Sequence, residues 1–280
     1  MLSLLSVNYN TLDWARLLVQ SIRKFTASPY ELIVVDNASV DGSREWLAEQ
    51  KDVNYPGLKP EASREGSEAS SQGLKYNYRQ LREESQGQFI KLISLDKNIG
   101  HGRGLDMALE NANGEWCAVF DIDTHVQREG WETDLLSLYK SDYRIRLIAA
   151  KGGNPDDVPP KPIHACWMFF ETRFFKDNGL SFIARDGYDV GRKIYYDITG
   201  MGYKVLRIGA GYEPDGQKFY PGTFGTEYYI GGQPQFYHEW YSARMWQENQ
   251  VDNYKREDFE RHRALLFSMP LVKEILAWRK

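Results

Sequence analysis

The apolar residues in the first 150 positions form short runs, and stretches with helical spacing alternate with these runs. The apolar runs predict strands over residues 2–7, 31–35, 89–95, 116–120 and 146–150. Between the first two runs, Trp14, Leu18 and Ile22 recur at the spacing of an amphipathic helix, and further helical patterns end near residue 111 and cover residues 131–139. This alternation predicts an α/β fold with a mostly parallel sheet flanked by helices.

The alternation is interrupted at residues 55–88 and becomes less regular after residue 150. Residues 55–88 are rich in Gly, Ser, Glu, Lys and Arg, so we expect a surface insertion, partly helical around residues 76–84. Further on, the pattern predicts a strand over residues 165–170, a helix over 190–199 and a strand over 203–208. Residues 212–235 are expected to form a long Gly-rich loop, and residues 254–280 one or two helices broken at Pro270.

The composition is typical of one large α/β domain and excludes several classes of function. The 280 residues carry 35 basic and 39 acidic side chains, spread evenly, which argues against nonspecific nucleic-acid binding. Residues 1–7 are too short and uncharged for a signal peptide, and no apolar run approaches the ~18–20 residues that span a bilayer. Cys117 and Cys166 lie in apolar runs, which favours buried, reduced thiols in a cytoplasmic protein.

Two carboxylates, Asp121 and Asp123, directly follow the predicted strand over residues 116–120. Ligands of α/β sheets bind beyond the carboxyl ends of the strands. Two hard oxygen ligands at this point suit Mn²⁺ or Mg²⁺, and that ion suits a diphosphate. The same residues also resemble the aspartyl nucleophile motif of haloacid-dehalogenase-type phosphatases. That motif usually follows the first strand and has Thr or Val where this chain has His125.

Other polar residues follow the strands of the same predicted sheet. Asn8 follows the first strand, and Asp36 and Asn37 follow the second. Parallel strands bring such ends to one edge, so we expect these residues to contact a substrate, with Asp36 accepting hydrogen bonds from a base or a ribose. The alternative is that Asp36 and Asn37 cap the next turn, since both residue types favour turns.

A glycine-rich segment, with Gly100, Gly102 and Gly104, joins another predicted strand to a helix. Its spacing differs from the dinucleotide-binding fingerprint, so a redox cofactor is not expected. The segment would let a nucleotide approach the backbone, with Asn98 or Arg103 reaching a base or phosphate. The alternative is a turn followed by close packing of the helix.

Together these residues resemble family 2 glycosyltransferases of the GT-A fold. The resemblance rests on an ordered set of motifs: SVNYN at 6–10, VVDNASVDGS at 34–43, NIG at 98–100 and DID at 121–123. It implies that residues 1–125 bind a nucleotide sugar, that 126–253 form a less regular acceptor-binding and catalytic half of the same domain, and that 254–280 form a C-terminal helical segment. Asn8, Asp36, Asn37, Asn98, Gly100, Arg103 and Asp121 would then contact the donor.

The second half of the chain resembles the family more loosely. ACWMFF at 165–170 is similar to the acceptor-side strand of the family, after which an acidic residue deprotonates the acceptor. Asp189 matches that position best. The family's acidic doublet is absent, so the choice between Asp189 and Asp186 stays open, and helix N-capping is the alternative for both. The segment FYHEW at 236–240 is similar to a late His segment and implies His238 as a metal ligand with Asp121 and Asp123. Arg244 would bind phosphate or form a surface ion pair.

The resemblance implies a metal-dependent, inverting glycosyltransferase that uses Mn²⁺ or Mg²⁺. Its donor would be a nucleoside-diphosphate sugar, with UDP favoured, and its acceptor a glycan, a lipid-linked sugar or a protein in surface polysaccharide synthesis. We expect a cytoplasmic protein, with peripheral contact at the inner face of the membrane as an open alternative. A protein of the same fold that binds nucleotide sugars without turnover is the main alternative to an enzyme.

Overall fold

The structure, a computed structural model, describes residues 1–50, 53–55, 87–153, 162–212, 216–240, 242, 244, 250–251 and 254–278. Its strands are β1 Leu2–Asn8, β2 Tyr30–Asp36, β3 Val53–Tyr55, β4 Gln88–Ser94, β5 Trp116–Phe120, β6 Thr124–Val126, β7 Ile145–Lys151, β8 Ile163–Glu171, β9 Lys204–Ile208, β10 Thr226–Ile230, β11 Gln233–His238, β12 Gln250–Val251 and β13 Tyr254–Lys255. Its helices are α1 Leu12–Phe25, α2 Ser43–Gln50, α3 His101–Glu110, α4 Trp131–Lys140, α5 Thr172–Asp177, α6 Arg192–Gly200, α7 Arg256–Ser268 and α8 Pro270–Ala277.

Eight strands form one central sheet, in the order β3-β4-β2-β1-β5-β8-β7-β9. β8 is antiparallel to both of its neighbours, β5 and β7. The other neighbouring strands pair in parallel. The predicted α/β fold with a mostly parallel sheet is therefore confirmed. Strands from both halves of the chain share this sheet.

Helices cover both faces of the central sheet. Leu4 and Leu32 belong to one core, which includes α1, α4, α7 and α8. Their neighbours Leu5 and Ile33 point to the opposite face and pack in a second core with α3, α5 and α6. Successive side chains of a strand alternate between faces, so a strand covered on both sides must be apolar along its whole length. This is why β1 and β2 are continuous apolar runs.

A second sheet of three strands contains a hairpin in the region where the sequence predicted a loop. β10, β11 and β6 pair antiparallel in that order, and β10 turns into β11 through Gly231 and Gly232. Both glycines have positive φ, 60° and 76°, as two-residue hairpin turns require. The prediction of one long loop over residues 212–235 was therefore wrong. The glycine pair was the hairpin signal, but the polar residues of both strands obscured the alternation around it.

The C-terminal segment and the insertion can be compared with their predictions over the described residues. The terminal helices α7 and α8 meet at Pro270, which is the first residue of α8, so the predicted break is confirmed. The predicted insertion, residues 55–88, begins at Tyr55, the last residue of β3, and ends at Gln88, the first residue of β4. Its interior, residues 56–86, lies outside the described residues, and so does the predicted helix at 76–84. None of the described helices has the length and apolar character needed to cross a membrane.

Candidate active site

Three neighbouring strands end at the same edge of the central sheet. Asn8 and Asp36 are register partners at the ends of β1 and β2, and Asp121 follows β5 on the other side of β1. The backbone N–H of Asp121 donates to the carbonyl of Cys166 in β8, at 2.8 Å. The polar strand ends are therefore close together, as parallel topology requires.

Asp121, Asp123 and His238 form a compact group, although His238 comes from the second sheet. β11 pairs with β6, which begins directly after Asp123, and this pairing places His238 opposite Thr124. His238 Nε2 lies 3.3 Å from Asp123 Oδ1 and 3.6 Å from Asp121 Oδ2. One ligand atom from each of the three residues lies within 4.8 Å of the others. The structure thus brings together the three residues predicted to bind the metal.

The chemistry of this group fits a divalent cation. The Oδ1 atom of Asp121 is buried and accepts no hydrogen bond of normal geometry from the described residues. His101 Nε2 lies 3.2 Å from that oxygen, and Ser242 Oγ donates to Asp123 Oδ2 at 2.6 Å. Buried oxygens without a regular hydrogen bond are uncommon, and a cation would satisfy Asp121 Oδ1 more fully than the imidazole beside it. The carboxylate oxygens suit Mn²⁺ or Mg²⁺, and an imidazole beside them is a credible third ligand for Mn²⁺.

The carboxylates and imidazoles of this site stabilise one another's charged forms. Burial alone would raise the pKa of Asp121, but the positive charges of His101 and His238 outweigh it and lower the pKa. Burial alone would lower the pKa of His238, but the negative charges of Cys166 and Asp123 raise it well above its ordinary value. These opposite shifts have a common cause: the Cys166 thiolate and the two carboxylates attract the positive charge of the imidazoles around them.

A cavity of about 750 Å³ opens above the carboxylates. It is lined by most of the residues that the sequence proposed for the site, namely Asn37, Asn98, Gly100, Asp121, Asp123, Asp189, His238 and Arg244. Four proposed residues, Asn8, Asp36, Arg103 and Asp186, are not among its lining residues. Its size is within the range of small-molecule and cofactor sites.

Asn8 and Asp36 lie beneath the cavity and are fully buried. Asn8 Nδ2 donates to Asp36 Oδ1 at 2.7 Å, and Arg44 Nε donates to Asp36 Oδ2 at 2.8 Å. Asp36 Oδ2 also accepts the backbone N–H of Ser39, the turn contact that the alternative interpretation expected. This geometry supports a structural role for both residues, and their contact with substrate stays a prediction.

The glycine-rich segment shapes one wall of the cavity. Gly100 has φ 90° and directly precedes α3, and its N–H donates to Asn98 Oδ1 at 2.8 Å. Gly102 and Gly104 lie in α3. A Cβ at Gly102 would lie 2.5 Å from the Phe182 carbonyl oxygen, and a Cβ at Gly104 would lie 2.8 Å from Val7 Cγ2. These two glycines therefore permit close packing of the helix. Arg103 lies on the exposed side of the same helix.

The two candidate bases differ in position. Asp189 lines the cavity with a side chain that is 62% exposed, and its charge acts on His101, which contacts Asp121. Helix α6 begins at Arg192 after Gly191 and has no side-chain cap, so Asp189 is not its N-cap. Asp186 is exposed, has φ 56° and does not line the cavity. The geometry therefore favours Asp189 over Asp186.

Several residues of this site were not found from the sequence, namely His101, His164, Cys166, Trp240 and Ser242. The position of His101 directly after Gly100 was a usable signal, because the start of that helix faces the strand ends. The other four residues depend on the antiparallel placement of β8 and on the second sheet. The antiparallel placement of β8 has no distinct sequence pattern, and the glycine pair at 231–232 was the visible signal of the second sheet.

Residues 3–76 and 66–197 match the profile of glycosyl transferase family 2. These two matches together span well over half of the chain. The chain belongs to glycosyl transferase family 2. This membership leaves the haloacid-dehalogenase interpretation of Asp121 and Asp123 without support. No curated protein sequence matches the chain.

Solved glycosyltransferases share the fold of this family 2 chain. The mannosyltransferase PcManGT from Pyrobaculum calidifontis, in complex with GDP-Man and Mn²⁺, has a TM-score of 0.51 at 16% identity. That match covers 74% of this chain and 54% of the mannosyltransferase, so the chain spans about half the length of this relative. GalNAc-T7 with UDP, GalNAc and Mn²⁺ has a TM-score of 0.50 at 17% identity, over 78% of this chain and 45% of its own.

Proposed function

We propose that the chain is a metal-dependent, inverting glycosyltransferase that moves a sugar from a nucleoside-diphosphate sugar to an acceptor hydroxyl. The observation that carries this proposal is the grouping of Asp121, Asp123 and His238 at the base of a cavity that Asp189 also lines. Family membership supports the reaction class. A UDP sugar is the favoured donor and surface polysaccharide synthesis the favoured process, and the cytoplasmic location stays a prediction from the sequence.

Each wall of the cavity has a separate task in this proposal. Asp121, Asp123 and His238 would hold Mn²⁺ or Mg²⁺, which neutralises charge on the diphosphate leaving group. Asn37 and the segment from Asn98 to Gly100 present amide and backbone groups to the nucleoside. Arg244 would contact a phosphate.

The acceptor side of the reaction requires a base within the same cavity. Asp189 would accept the proton of the acceptor hydroxyl as that oxygen attacks the anomeric carbon. Attack on the face opposite the leaving diphosphate gives inversion in one displacement. The exposure of Asp189 leaves room for an acceptor to approach it.

A thermal-shift panel tests the donor site. UDP, GDP, dTDP and CMP would each be added with and without Mn²⁺, because the two structural relatives were solved with different nucleotides. A ligand at 100 times its dissociation constant adds roughly 2.7 kcal/mol of stability. We expect one nucleoside diphosphate to stabilise the protein only with Mn²⁺, and Asp123→Ala to lose that effect.

The matched control is Asp134→Ala, which removes a carboxylate from helix α4, away from the cavity-lining residues. This variant should keep the metal-dependent shift. If none of the four nucleotides stabilised the wild-type protein with Mn²⁺, the proposed donor site would be wrong.

A further inference from the structure

A second group of potential metal ligands, His164, Cys166 and His238, lies beside the carboxylate pair. His164 and Cys166 are two residues apart in β8, at the point where its register with β7 shifts. His238 at the end of β11 completes the group. One ligand atom from each of the three residues lies within 4.8 Å of the others. Only His238 is shared with the site of Asp121 and Asp123.

The ligand types in this second group differ from those of the carboxylate site. A thiolate and two imidazoles suit Zn²⁺, whereas Mg²⁺ and Mn²⁺ prefer oxygen ligands. Bonds of ~2.0 Å to nitrogen and ~2.3 Å to sulfur place tetrahedral ligand atoms roughly 3.3–3.5 Å apart. The three atoms would therefore close on an ion after side-chain movements of about 1 Å.

The group can be reached from the cavity. His164 and His238 line it, while the side chain of Cys166 is fully buried behind them. Trp240 contacts both imidazole rings edge-on, with centroid distances of 4.8 Å to His164 and 4.4 Å to His238. The cavity side leaves a fourth position for water, as in zinc sites with three protein ligands.

The hydrogen bonding of the two imidazoles also indicates a ligand. His238 directs Nε2 at the two carboxylates, its ring also interacts with the Cys166 thiol, and its buried Nδ1 makes no hydrogen bond of normal geometry among the described residues. A buried ring nitrogen without a regular hydrogen bond calls for an explanation, which a bound ion provides. His164 Nδ1 accepts the N–H of Cys166 at 3.1 Å. Coordination through that atom exchanges one local hydrogen bond for a bond to the ion.

We propose that His164, Cys166 and His238 form a zinc site next to the Asp121–Asp123 pair. His238 faces the carboxylates with Nε2 and offers Nδ1 to the second group. A neutral imidazole has one nitrogen free to bind a metal while the other carries the proton, so Zn²⁺ at one site and Mn²⁺ or Mg²⁺ at the other compete for this residue. Zinc therefore inhibits sugar transfer. The zinc site itself is independent of the proposed function. Only the inhibition of sugar transfer rests on the proposed function.

Cobalt spectroscopy of the whole chain tests the thiolate ligand. Co²⁺ takes the place of zinc, and a cysteine ligand gives a thiolate-to-cobalt charge-transfer band in the near ultraviolet. We expect this band in the wild type and its loss in Cys166→Ser. Cys117→Ser is the matched control, because Cys117 is the other cysteine of the chain and is equally buried in β5. Absence of the band in the wild type, or its persistence in Cys166→Ser, would overturn the proposal.

Zinc titration of a second variant keeps the test valid if Cys166→Ser fails to fold. His164→Gln alters a half-buried side chain. Loss of a group that only hydrogen-bonds to a metal ligand weakens metal binding by ~10–100-fold, so loss of the ligand His164 itself should weaken zinc binding by at least ~100-fold. Unchanged zinc affinity in His164→Gln would contradict the site. Asp121→Asn should keep zinc binding but lose the Mn²⁺-dependent nucleotide shift, so failure of this proposal is distinguishable from failure of the proposed function.

Discussion

Lys91 and Glu31 form an ion pair that is completely buried between β4 and β2 of the central sheet. Glu31 Oε1 also accepts hydrogen bonds from Ser3 Oγ and the N–H of Asn113, both at 2.5 Å. Lys91 Nζ donates to the carbonyl of Asn111 at 3.3 Å. The pair thus joins two strands to the segment between α3 and β5, and its charges have protein partners in place of water.

Lys91→Met should destabilise the fold strongly, because it leaves the Glu31 carboxylate buried without its cation. Breaking a buried pair in this way costs roughly 3–5 kcal/mol of unfolding free energy. Urea denaturation measures this loss. The control Lys151→Met changes an exposed lysine of strand β7 and should stay within about 0.5 kcal/mol. A loss below about 1 kcal/mol for Lys91→Met would contradict the paired, buried geometry.

Gly102→Ala should destabilise the protein through a clash with backbone. The added Cβ would lie 2.5 Å from the carbonyl oxygen of Phe182 and 3.0 Å from Ile183 Cα, so helix α3 has to shift. Overpacking of this kind costs typically ~1–3 kcal/mol. Gly200→Ala is the matched control, since it lies at the end of helix α6 with open space around it. Thermal unfolding should show a lower Tm for Gly102→Ala and an unchanged or higher Tm for Gly200→Ala.

His125 should make the wild-type protein more sensitive to acid. Burial alone lowers the pKa of this imidazole to about 3, whereas in the unfolded chain its pKa is about 6.5. The unfolded state therefore binds an extra proton between these values, and stability is lost as the pH falls from about 6.5 towards 3. The slope for one group is about 1.4 kcal/mol per pH unit.

His125→Gln removes this titration. Unfolding free energies of both proteins between pH 7 and pH 4.5 should show that the wild type loses stability faster than the variant. Parallel curves for the two proteins would show that His125 takes up its proton as readily in the folded state as in the unfolded one.

Asp189→Asn should abolish most sugar transfer while nucleotide binding is kept. Loss of a general base typically lowers the rate by ~10²–10⁴-fold. Asp186→Asn is the control, because Asp186 does not line the cavity and Asn tolerates its positive φ. The measurement is kcat with the donor identified by thermal shift. Equal kcat for the wild type and Asp189→Asn would exclude this base. An absence of transfer by the wild type, with nucleotide binding intact, would favour the binding-protein alternative.

The central sheet was predictable because its strands are buried on both faces. Burial on both sides requires nearly continuous apolar residues, and this pattern identified β1, β2, β4 and β5. The hairpin of β10 and β11 was missed, since Thr226–Ile230 and Gln233–His238 carry polar residues at positions that a short strand pattern cannot distinguish from a loop. In that segment only the turn at Gly231 and Gly232 was visible in the sequence.

The sequence by itself determined which residues follow the strands, because parallel strands with apolar interiors place the polar residues after them at one edge. It thereby located Asp121 and Asp123. Only the tertiary structure decided which polar groups face the cavity. Asp36 is held beneath it by Asn8 and Arg44, while Asn37, one residue later, lines it. The structure also decided that His238 and Cys166 meet, since that contact depends on the pairing of β11 with β6 and of β8 with β5, contacts between residues that are distant along the chain.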